Sequence, residues 1–344
     1  MEPRMTVVAL TGAGGPDKLS VEDAPIPIPG AGFVLVEMEA AGVAFNDITT
    51  RQGRNPGRLP PVMGFDVVGH VVAVDSNVIR PAIGERVAAL IGTGGYASHV
   101  LVSAERAVEV PDTLDAAVVD ALVLNYLTAW QMLHRVARAE PGQTVLILGA
   151  AGGVGSALVE LAVLARVHVI GTSSPKRRAA VENNGARWVR TAADVNDPVD
   201  AAFDPVGGPS LAVTRRATHR RGTVVSFGFS HAVDSDRSKL GGLARTLSAV
   251  ALARATPGAQ VRLYQVERAV TNDPAAYRAD LAHLIALAGD GRLNPTVTTL
   301  PLTQAAAAHR RLENRTVTGK IVLIPDAPST TSQTLPGDDG VTTL

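Results

Sequence analysis

The chain contains no cysteine, and its charges cancel, with 32 Lys and Arg against 32 Asp and Glu in 344 residues. Without cysteine, neither a disulfide framework nor a thiolate metal site can form. A net charge of zero argues against nucleic acid or an acidic membrane as the main partner. The first residues, MEPRMTVVALTG, lack the apolar core of a signal peptide, and no uninterrupted apolar run reaches the length of a membrane span. We therefore expect a soluble, cytoplasmic protein.

The first 110 residues contain short runs typical of β-strands. They are rich in Val, Gly and Pro, and Gly- or Pro-containing turns separate the runs. Strands are predicted at residues 5–10, 33–40, 67–74, 86–89 and 99–102. This pattern predicts a mostly antiparallel, barrel-like domain. The length of the chain leaves room for a second domain of ordinary size.

A strand–turn–helix–strand unit begins at residue 143. The apolar run QTVLIL is followed by the small-residue turn GAAGGVG, a helical pattern over residues 156–165 and the apolar run VHVIG. This order within about thirty residues is typical of a βαβ unit that binds a dinucleotide. The same kind of turn also occurs without a ligand.

The turn is predicted to hold a pyrophosphate. Gly152 and Gly155 allow close approach of the backbone to the phosphates, and free N–H groups at the helix N-terminus hold the anion. The first glycine of the G-x-G-x-x-G fingerprint is replaced by Ala150. The predicted contacts are Ala151, Gly152, Gly153, Val154 and Gly155.

The end of the second strand favours NADPH over NADH. A ribose 2′-hydroxyl usually meets an acid about twenty residues after the turn, but no acid lies between Glu160 and Glu182. The segment instead offers hydroxyls and cations that suit a 2′-phosphate. These predicted contacts are Thr172, Ser173, Ser174, Lys176 and Arg177. Alternatively, the cations simply begin a solvated helix.

The remaining chain alternates between helical and strand patterns. A long helix is predicted at 115–138. Helices at 176–184 and 211–220 alternate with strands at 187–189, 201–204 and 222–227, which predicts a doubly wound parallel sheet. Further helices are predicted at 243–253, 277–288 and 304–312, with a closing strand at 320–324. Residues 326–344 lack apolar periodicity and are predicted to be a disordered tail.

A series of short motifs gives the chain a family resemblance. In order, they are AGVAFND (41–47), GFDVVG (64–69), GERV (84–87), GGYA (94–97), LTAW (127–130), the turn at 150–155, DPVGG (204–208) and TGK (318–320). With these motifs, the chain resembles the zinc-independent quinone oxidoreductase (zeta-crystallin) branch of the medium-chain dehydrogenase/reductase superfamily. The stretches 125–130, 203–208 and 319–325 resemble the vesicle-membrane-protein homologues within it.

The resemblance implies an α/β fold in which a Rossmann doubly wound sheet is joined to a mostly antiparallel, barrel-like (GroES-like) catalytic domain. The catalytic domain would comprise residues 1–122 and 268–325, and the Rossmann domain residues 123–267. NADPH would lie in the cleft between them, with Thr128 and the Phe227–Gly228 turn near the nicotinamide and with Val206 and Lys320 as further contacts. A homodimer through the edge of the Rossmann sheet is also implied.

Zinc-dependent relatives carry a Cys and a Gly-His-Glu motif in the first domain. Here the corresponding positions hold Asn46 or its neighbours and Gly64-Phe65-Asp66. Because zinc requires three or four converging Cys, His or carboxylate ligands, we expect no metal.

Two polar groups of the family's cleft are missing. Many quinone oxidoreductases place an Asn where this chain has Ala44, and a Tyr where it has Arg54-Asn55-Pro56. Candidate substitutes are Asn46, Asn55 and Arg51, with Thr128 beside the nicotinamide, although either amide could equally stabilise a turn. Asp47 is predicted to cap the helix that begins near it.

These departures leave three functions open. The first is an NADPH-dependent reductase of quinones or α,β-unsaturated carbonyl compounds. The second is an NADPH-binding sensor or interaction protein with little turnover. The third is a biosynthetic enoyl reductase with a dedicated substrate, for which residues 230–258 would set specificity.

Overall fold

The computed structural model describes residues 3–55, 57–227, 251 and 256–326. The predicted cofactor contact Gly228, most of the segment 230–258 with its predicted helix, and the tail after Asp326 lie outside the described residues.

The first sheet has seven strands and is mostly antiparallel. Its order is β14-β15-β3-β4-β5-β7, and β6 also pairs with β3. The eleven-residue strand β3 runs along its centre, with almost every side chain buried. A separate hairpin, β1–β2, closes one side through single bridges to Ala97 and Val62. The strands are β1 Arg4–Leu10, β2 Leu19–Pro25, β3 Phe33–Val43, β4 Asp66–Val74, β5 Arg86–Leu90, β6 His99–Ser103, β7 Val108–Glu109, β14 Val297–Pro301 and β15 Lys320–Ile324.

The second sheet has six parallel strands in the order β10-β9-β8-β11-β12-β13. Numbered within this domain, the order is 3-2-1-4-5-6, which is that of the dinucleotide-binding Rossmann fold. The predicted α/β fold class is therefore confirmed. The strands are β8 Thr144–Ile147, β9 His168–Thr172, β10 Arg187–Val189, β11 Val199–Asp204, β12 Thr218–Ser226 and β13 Gln260–Leu263.

Helices cover the Rossmann sheet and connect it to the first sheet. They are α1 Phe45–Arg51, α2 Ala116–Ala137, α3 Gly153–Leu164, α4 Arg178–Asn183, α5 Ser210–Arg216, α6 Val266–Asn272, α7 Pro274–Gly289 and α8 Ala305–Glu313. Short 3₁₀ turns lie at Pro16–Lys18, Ala104–Arg106, Pro175–Arg177, Ala192–Asp194 and Leu302–Gln304.

Helix α2 crosses between the two sheets. Asp115 caps its N-terminus by accepting a hydrogen bond from the N–H of Val118 at 3.0 Å, and the helix ends at Arg138, which has a left-handed φ of 54°. Two stretches of α2, Leu122–Tyr126 and Gln131–Ala137, are π-helical. Among the described residues it is the one helix long and apolar enough to cross a membrane, but 83% of its apolar window is buried in the protein. Its apolar character is thus that of a core helix, and the cytoplasmic location stays a prediction.

One cluster of buried apolar side chains includes residues of both sheets and of α2, which lies between them. It contains side chains of the first sheet, of α2 and of the Rossmann sheet with α3; examples are Ala40, Val68, Leu122, Leu127, Val145 and Leu158. Strands β14 and β15 come from the end of the chain, yet β15 pairs with β3 from Ile321↔Val43 to Leu323↔Ala41. The domain boundaries at 122, 123, 267 and 268 remain a prediction.

The structure corrects several predicted boundaries. Helix α3 begins at Gly153 and not at Ser156, because the last three residues of the turn already have helical conformation. The helix predicted to run from 211 to 220 ends at Arg216, and β12 begins two residues later. Strands β2, β7, β13 and β14 were not predicted. They are short or rich in polar residues, which leaves little apolar alternation to recognise.

Candidate functional site

The carboxyl ends of the central Rossmann strands meet at one edge of the sheet. Strand β8 leads into the small-residue turn, β9 ends at Thr172, β11 at Asp204 and β12 at Ser226. Strand β8 pairs with β9 on one side and with β11 on the other, so the topological switch point lies beside the turn. In open parallel sheets this is where ligands bind.

The turn itself is built for close backbone approach. Gly149 has a φ of 68°, in the left-handed region. A Cβ on Gly155 would overlap the carbonyl oxygen of Gly149 and lie 2.8 Å from its carbonyl carbon. Gly152 is the N-cap of the twelve-residue helix α3, and no side chain caps that helix. The first N–H groups of α3, from Gly153, Val154 and Gly155, are thus left for an anion.

The residues after β9 support the turn and border it. Gly149 donates its N–H to Oγ1 of Thr172 at 3.2 Å, and Ala150 donates to the Thr172 carbonyl at 2.9 Å. Thr172 therefore holds the entry of the turn. Trp188 donates its ring N–H to Oγ of Ser173 at 3.0 Å. Ser174 and Lys176 are exposed, and within the described ranges Lys176 makes no ion pair or hydrogen bond.

Arg177 is more constrained than its neighbours. Its Nη2 donates to the carbonyl oxygens of Ala151 and Val317, the latter at 2.8 Å, and to Oγ1 of Thr318 at 3.3 Å. Burial, and secondly the charge of Arg315, lower the pKa of Arg177. The side chain thus ties the phosphate turn to the segment before β15, while its positive charge remains beside the cleft.

The loop after β11 borders the turn on its other side. Oδ1 of Asp204 accepts hydrogen bonds from the N–H groups of Val206 at 2.8 Å and Gly207 at 3.0 Å. Phe227 donates its N–H to the Asp204 carbonyl at 3.1 Å. The predicted contacts Val206 and Phe227 are therefore brought together at the same edge as the turn.

Two buried polar side chains of α2 lack partners. Thr128 is 6% exposed and Asn125 is 7% exposed, and neither side chain forms a hydrogen bond with any residue in the described part of the chain. The segment of α2 around them packs against α3. The amide of Asn125 lies against Gly153, since a Cβ at Gly153 would be 2.5 Å from its Nδ2. Thr128 was predicted as a site residue and Asn125 was not. A lone amide within the apolar run ALVLNYL could have indicated Asn125.

The two candidate amides of the first domain form a pair. Asn55 donates from Nδ2 to Oδ1 of Asn46 at 2.9 Å and to Oγ1 of Thr50 at 2.7 Å. Both N–H groups of Asn55 are thereby used. Asn46 is exposed and its Oδ1 is an acceptor in this pair, so its own Nδ2 group remains available as a donor. Of the two amides, only that of Asn46 keeps a free N–H group, and its catalytic role stays a prediction.

Behind this pair lies a buried chain of titratable groups. Asp47 caps α1, as predicted: its Oδ2 accepts the N–H of Ala44 at 2.8 Å. The same oxygen accepts the hydroxyl of Tyr96 at 3.0 Å, and that hydroxyl contacts Nε2 of His309 at 3.1 Å. Arg51 donates from Nε to Nδ1 of His309 at 3.2 Å and also pairs with Glu313.

Burial governs the protonation of this chain. It raises the pKa of Asp47 to about 6, with a further increase from Asp66 that opposes the hydrogen bond from Ala44. Burial, together with the charge of Arg51, lowers the pKa of His309 to about 3. Both groups are therefore expected to titrate away from their ordinary values.

Lys320 is placed inside the protein rather than at the open cleft. Its Nζ lies 2.7 Å from Oδ2 of Asp66 and 3.9 Å from Oδ1 of Asp120, and all three side chains are buried. Burial alone would lower the pKa of Lys320, but the two carboxylates raise it. The backbone of its neighbour Gly319 borders Gly153, so this segment reaches the phosphate turn through its main chain.

Comparison with known proteins gives the same architecture. Residues 30–112 match the alcohol dehydrogenase GroES-like domain, and residues 168–323 match the zinc-binding dehydrogenase family. The human synaptic vesicle membrane protein VAT-1 homolog is 30% identical over 347 residues, which cover 92% of this chain and 86% of the relative. A probable quinone oxidoreductase of Schizosaccharomyces pombe is 30% identical over 332 residues, 92% of this chain and 96% of the relative.

The chain belongs to the quinone oxidoreductase branch of the medium-chain dehydrogenase/reductase superfamily. The predicted resemblance is confirmed. Among solved structures, a mycobacterial protein in complex with NADPH superposes with a TM-score of 0.79 at 28% identity, covering 93% of this chain and all of the other.

Although one matching family is described as zinc-binding, the residues of this superfamily member do not fit zinc. The sequence has no cysteine. The carboxylate of Asp66, at a position where zinc-dependent relatives carry a ligand motif, is ion-paired with Lys320 and accepts the N–H of Gly42 at 2.9 Å. In the described part of the chain no three His, Asp or Glu side chains form a group that could hold a metal ion.

Proposed function

We propose that this protein is an NADPH-dependent, zinc-independent oxidoreductase that transfers hydride to a quinone or an α,β-unsaturated carbonyl compound. The observation that carries the proposal is the uncapped N-terminus of α3, which lies beside the amide of Asn125. Asn125 and Thr128, both on α2, have no side-chain partner among the described residues. Such groups suit a dinucleotide, whose phosphates and carboxamide would satisfy them.

NADPH is favoured over NADH by the residues after β9. Ser174 and Lys176 are exposed beside the turn, and Arg177 keeps its charge near Arg315. No carboxylate lies between Glu160 and Glu182 to accept a ribose hydroxyl. A 2′-phosphate would relieve the repulsion between the two guanidinium groups.

When bound, NADPH supplies the hydride, and the protein must stabilise the charge that develops on the substrate oxygen. Asn46 provides an amide donor for this oxygen, oriented through its Oδ1 by Asn55. Thr128 binds beside the nicotinamide. Because Asn46 is exposed, water can reach the reduced substrate and deliver the proton that completes the reaction.

A second function, an NADPH-binding protein with little turnover, is favoured by one observation. The Asn of many relatives is Ala44 here, and the N–H groups of Asn55 are already used within the protein. Fewer donors then face the substrate. The homodimer and the cytoplasmic location are retained as parts of the main proposal, with no membrane or nucleic-acid partner.

The test combines titration and turnover. NADPH and NADH are titrated by fluorescence, and loss of NADPH absorbance is followed with a panel of quinones and enones. We expect tighter binding of NADPH and turnover with at least one acceptor. Binding without turnover would favour the sensor, turnover with one narrow acceptor class would favour the biosynthetic enzyme, and absence of NADPH binding would contradict all three functions.

A further inference from the structure

The amide of Asn125 has no hydrogen-bond partner among the residues that the structure describes, although most of the residue is buried. The residue is 7% exposed and lies in the π-helical stretch Leu122–Tyr126. Its neighbours Leu122, Val123 and Leu124 are buried apolar side chains. The residue as a whole is buried, but its amide is not among the fully buried unpartnered atoms, so the amide borders open space beside α3 where a ligand can accept its hydrogen bond.

The position of the amide indicates which part of the ligand it meets. Nδ2 of Asn125 lies against Cα of Gly153, the first residue of α3. The carbonyl oxygen of Gly319 borders the same point, since a Cβ on Gly153 would be 3.3 Å from it. An anion at this helix N-terminus would be repelled by this carbonyl oxygen, and the Nδ2 donor of Asn125, which borders the same glycine, would offset the repulsion.

We propose that Asn125 is a cofactor-binding residue whose Nδ2 donates a hydrogen bond to the pyrophosphate of NADPH at the N-terminus of α3. This inference rests on the proposed function. Asn125 lies three residues before Thr128 on α2, and neither side chain has a partner among the described residues. Asn125 binds at the phosphates, and Thr128 binds toward the nicotinamide.

The π-helical geometry of α2 supports this role. A π-helical stretch shifts the register of the side chains that follow, and such stretches are frequent at functional sites. Here the stretch contains Asn125 and ends at Tyr126, two residues before Thr128. The same helix thus presents both polar groups toward α3 while its remaining side chains pack in the shared core.

The decisive variant is Asn125→Leu, which keeps the volume of the side chain and removes its polarity. NADPH affinity is expected to fall roughly 10- to 100-fold, the effect of losing a hydrogen bond to a charged group. The thermal midpoint of the cofactor-free protein is expected to stay equal or rise, because the substitution removes no hydrogen bond within the described part of the protein. An amide with a purely structural role would produce the opposite change in the midpoint.

Two further measurements locate the contact. Affinity for 2′-AMP, which lacks the pyrophosphate, is expected to be the same in the wild type and in Asn125→Leu. Asn125→Asp is expected to bind NADPH more weakly than Asn125→Leu, since its carboxylate would repel the phosphates. The matched control is Asn184→Ala: Asn184 donates to the carbonyl of Ser156 in α3 at 2.9 Å, so the variant should retain wild-type NADPH affinity.

Unchanged NADPH affinity in Asn125→Leu would overturn the inference while leaving the proposed function intact. Equal losses of 2′-AMP and NADPH affinity would also overturn it, because they would show a general disturbance of the site. A wild-type protein that binds no NADPH would overturn the inference and the proposed function together.

Discussion

Asp47 and His309 are buried on opposite sides of the Tyr96 hydroxyl, and their pKa values are displaced in a way that couples folding to pH. The native state keeps the proton of Asp47 up to pH about 6, whereas the ordinary pKa is 3.8. Asp47 therefore lowers the free energy of unfolding as the pH rises through this window. His309 stays neutral in the native state down to pH about 3, against an ordinary value of 6.5. It therefore lowers the free energy of unfolding as the pH falls.

Between pH about 4 and 6 these two effects cancel, and single variants should separate them. The Asp47→Asn variant lacks the stabilisation that protonated Asp47 gives the wild type at low pH and keeps the opposing effect of His309. Its free energy of unfolding, relative to wild type, should therefore fall as the pH is lowered, by up to about 1.4 kcal/mol per pH unit. In His309→Gln the free energy of unfolding, relative to wild type, should rise as the pH is lowered, with the same limiting slope. Urea unfolding at several pH values measures both. The exposed His219→Gln serves as control, and parallel curves for all variants would contradict the assigned pKa values.

At the scale of elements, the junction of β8 and α3 depends on Gly155. Its added Cβ would meet only main-chain atoms of Gly149 and Ala150, which cannot move aside. We expect Gly155→Ala to weaken NADPH binding more than ~100-fold, equivalent to ~2.7 kcal/mol, because α3 is pushed away from the turn. Gly289, at the end of α7, has no atom within 4 Å of its added Cβ. Gly289→Ala should retain NADPH affinity and gain up to about 1 kcal/mol of stability. Equal affinities in the two variants would show that the turn tolerates a Cβ.

The sequence was most informative where small residues and apolar runs coincide. The turn at residues 149–155 and strands β8 and β9 could be located because a buried parallel strand and a tight αβ junction leave few residue choices. Strand β13 could not, since QVRL has only four residues and its place at the sheet edge is set by tertiary pairing with β12.

In the candidate site, the residues themselves were easier to predict than the groups with which they form hydrogen bonds or ion pairs. Arg177 was predicted as a phosphate contact, but its bonds to Val317 and Thr318 involve residues about 140 positions away. Lys320 was predicted as a cofactor contact, yet its ammonium is paired with Asp66. No local pattern reveals such pairings, because they arise only when distant strands meet.

At the scale of the whole molecule, Lys320 joins three elements. It begins β15, and its ammonium neutralises Asp66 of β4 and lies near Asp120 of α2. Both side-chain oxygens of Asp120 are buried without a hydrogen-bond partner in the described part of the chain. Because β4, α2 and β15 are far apart in sequence, this cluster links the start, middle and end of the chain.

Replacement of Lys320 should therefore affect the entire fold. In Lys320→Met the buried carboxylate of Asp66 loses its counter-charge, and the free energy of unfolding should fall by about 3–5 kcal/mol. Chemical denaturation followed by circular dichroism measures this loss. As a control, Arg178→Ala removes an exposed pair with Glu182 and should cost less than about 1 kcal/mol. A loss in Lys320→Met no larger than in the control would mean that water reaches the carboxylates.

The pairing of β15 with β3 also has a consequence for biosynthesis. Strand β3 leaves the ribosome some 280 residues before its partner at Ile321–Leu323, so the first sheet stays incomplete until almost the whole chain has been translated. Until then Asp66 lacks the lysine that neutralises it, and the first sheet cannot be completed. The Rossmann unit, whose strands β8 to β13 follow one another, can form earlier and serve as the surface on which the first sheet is finally assembled.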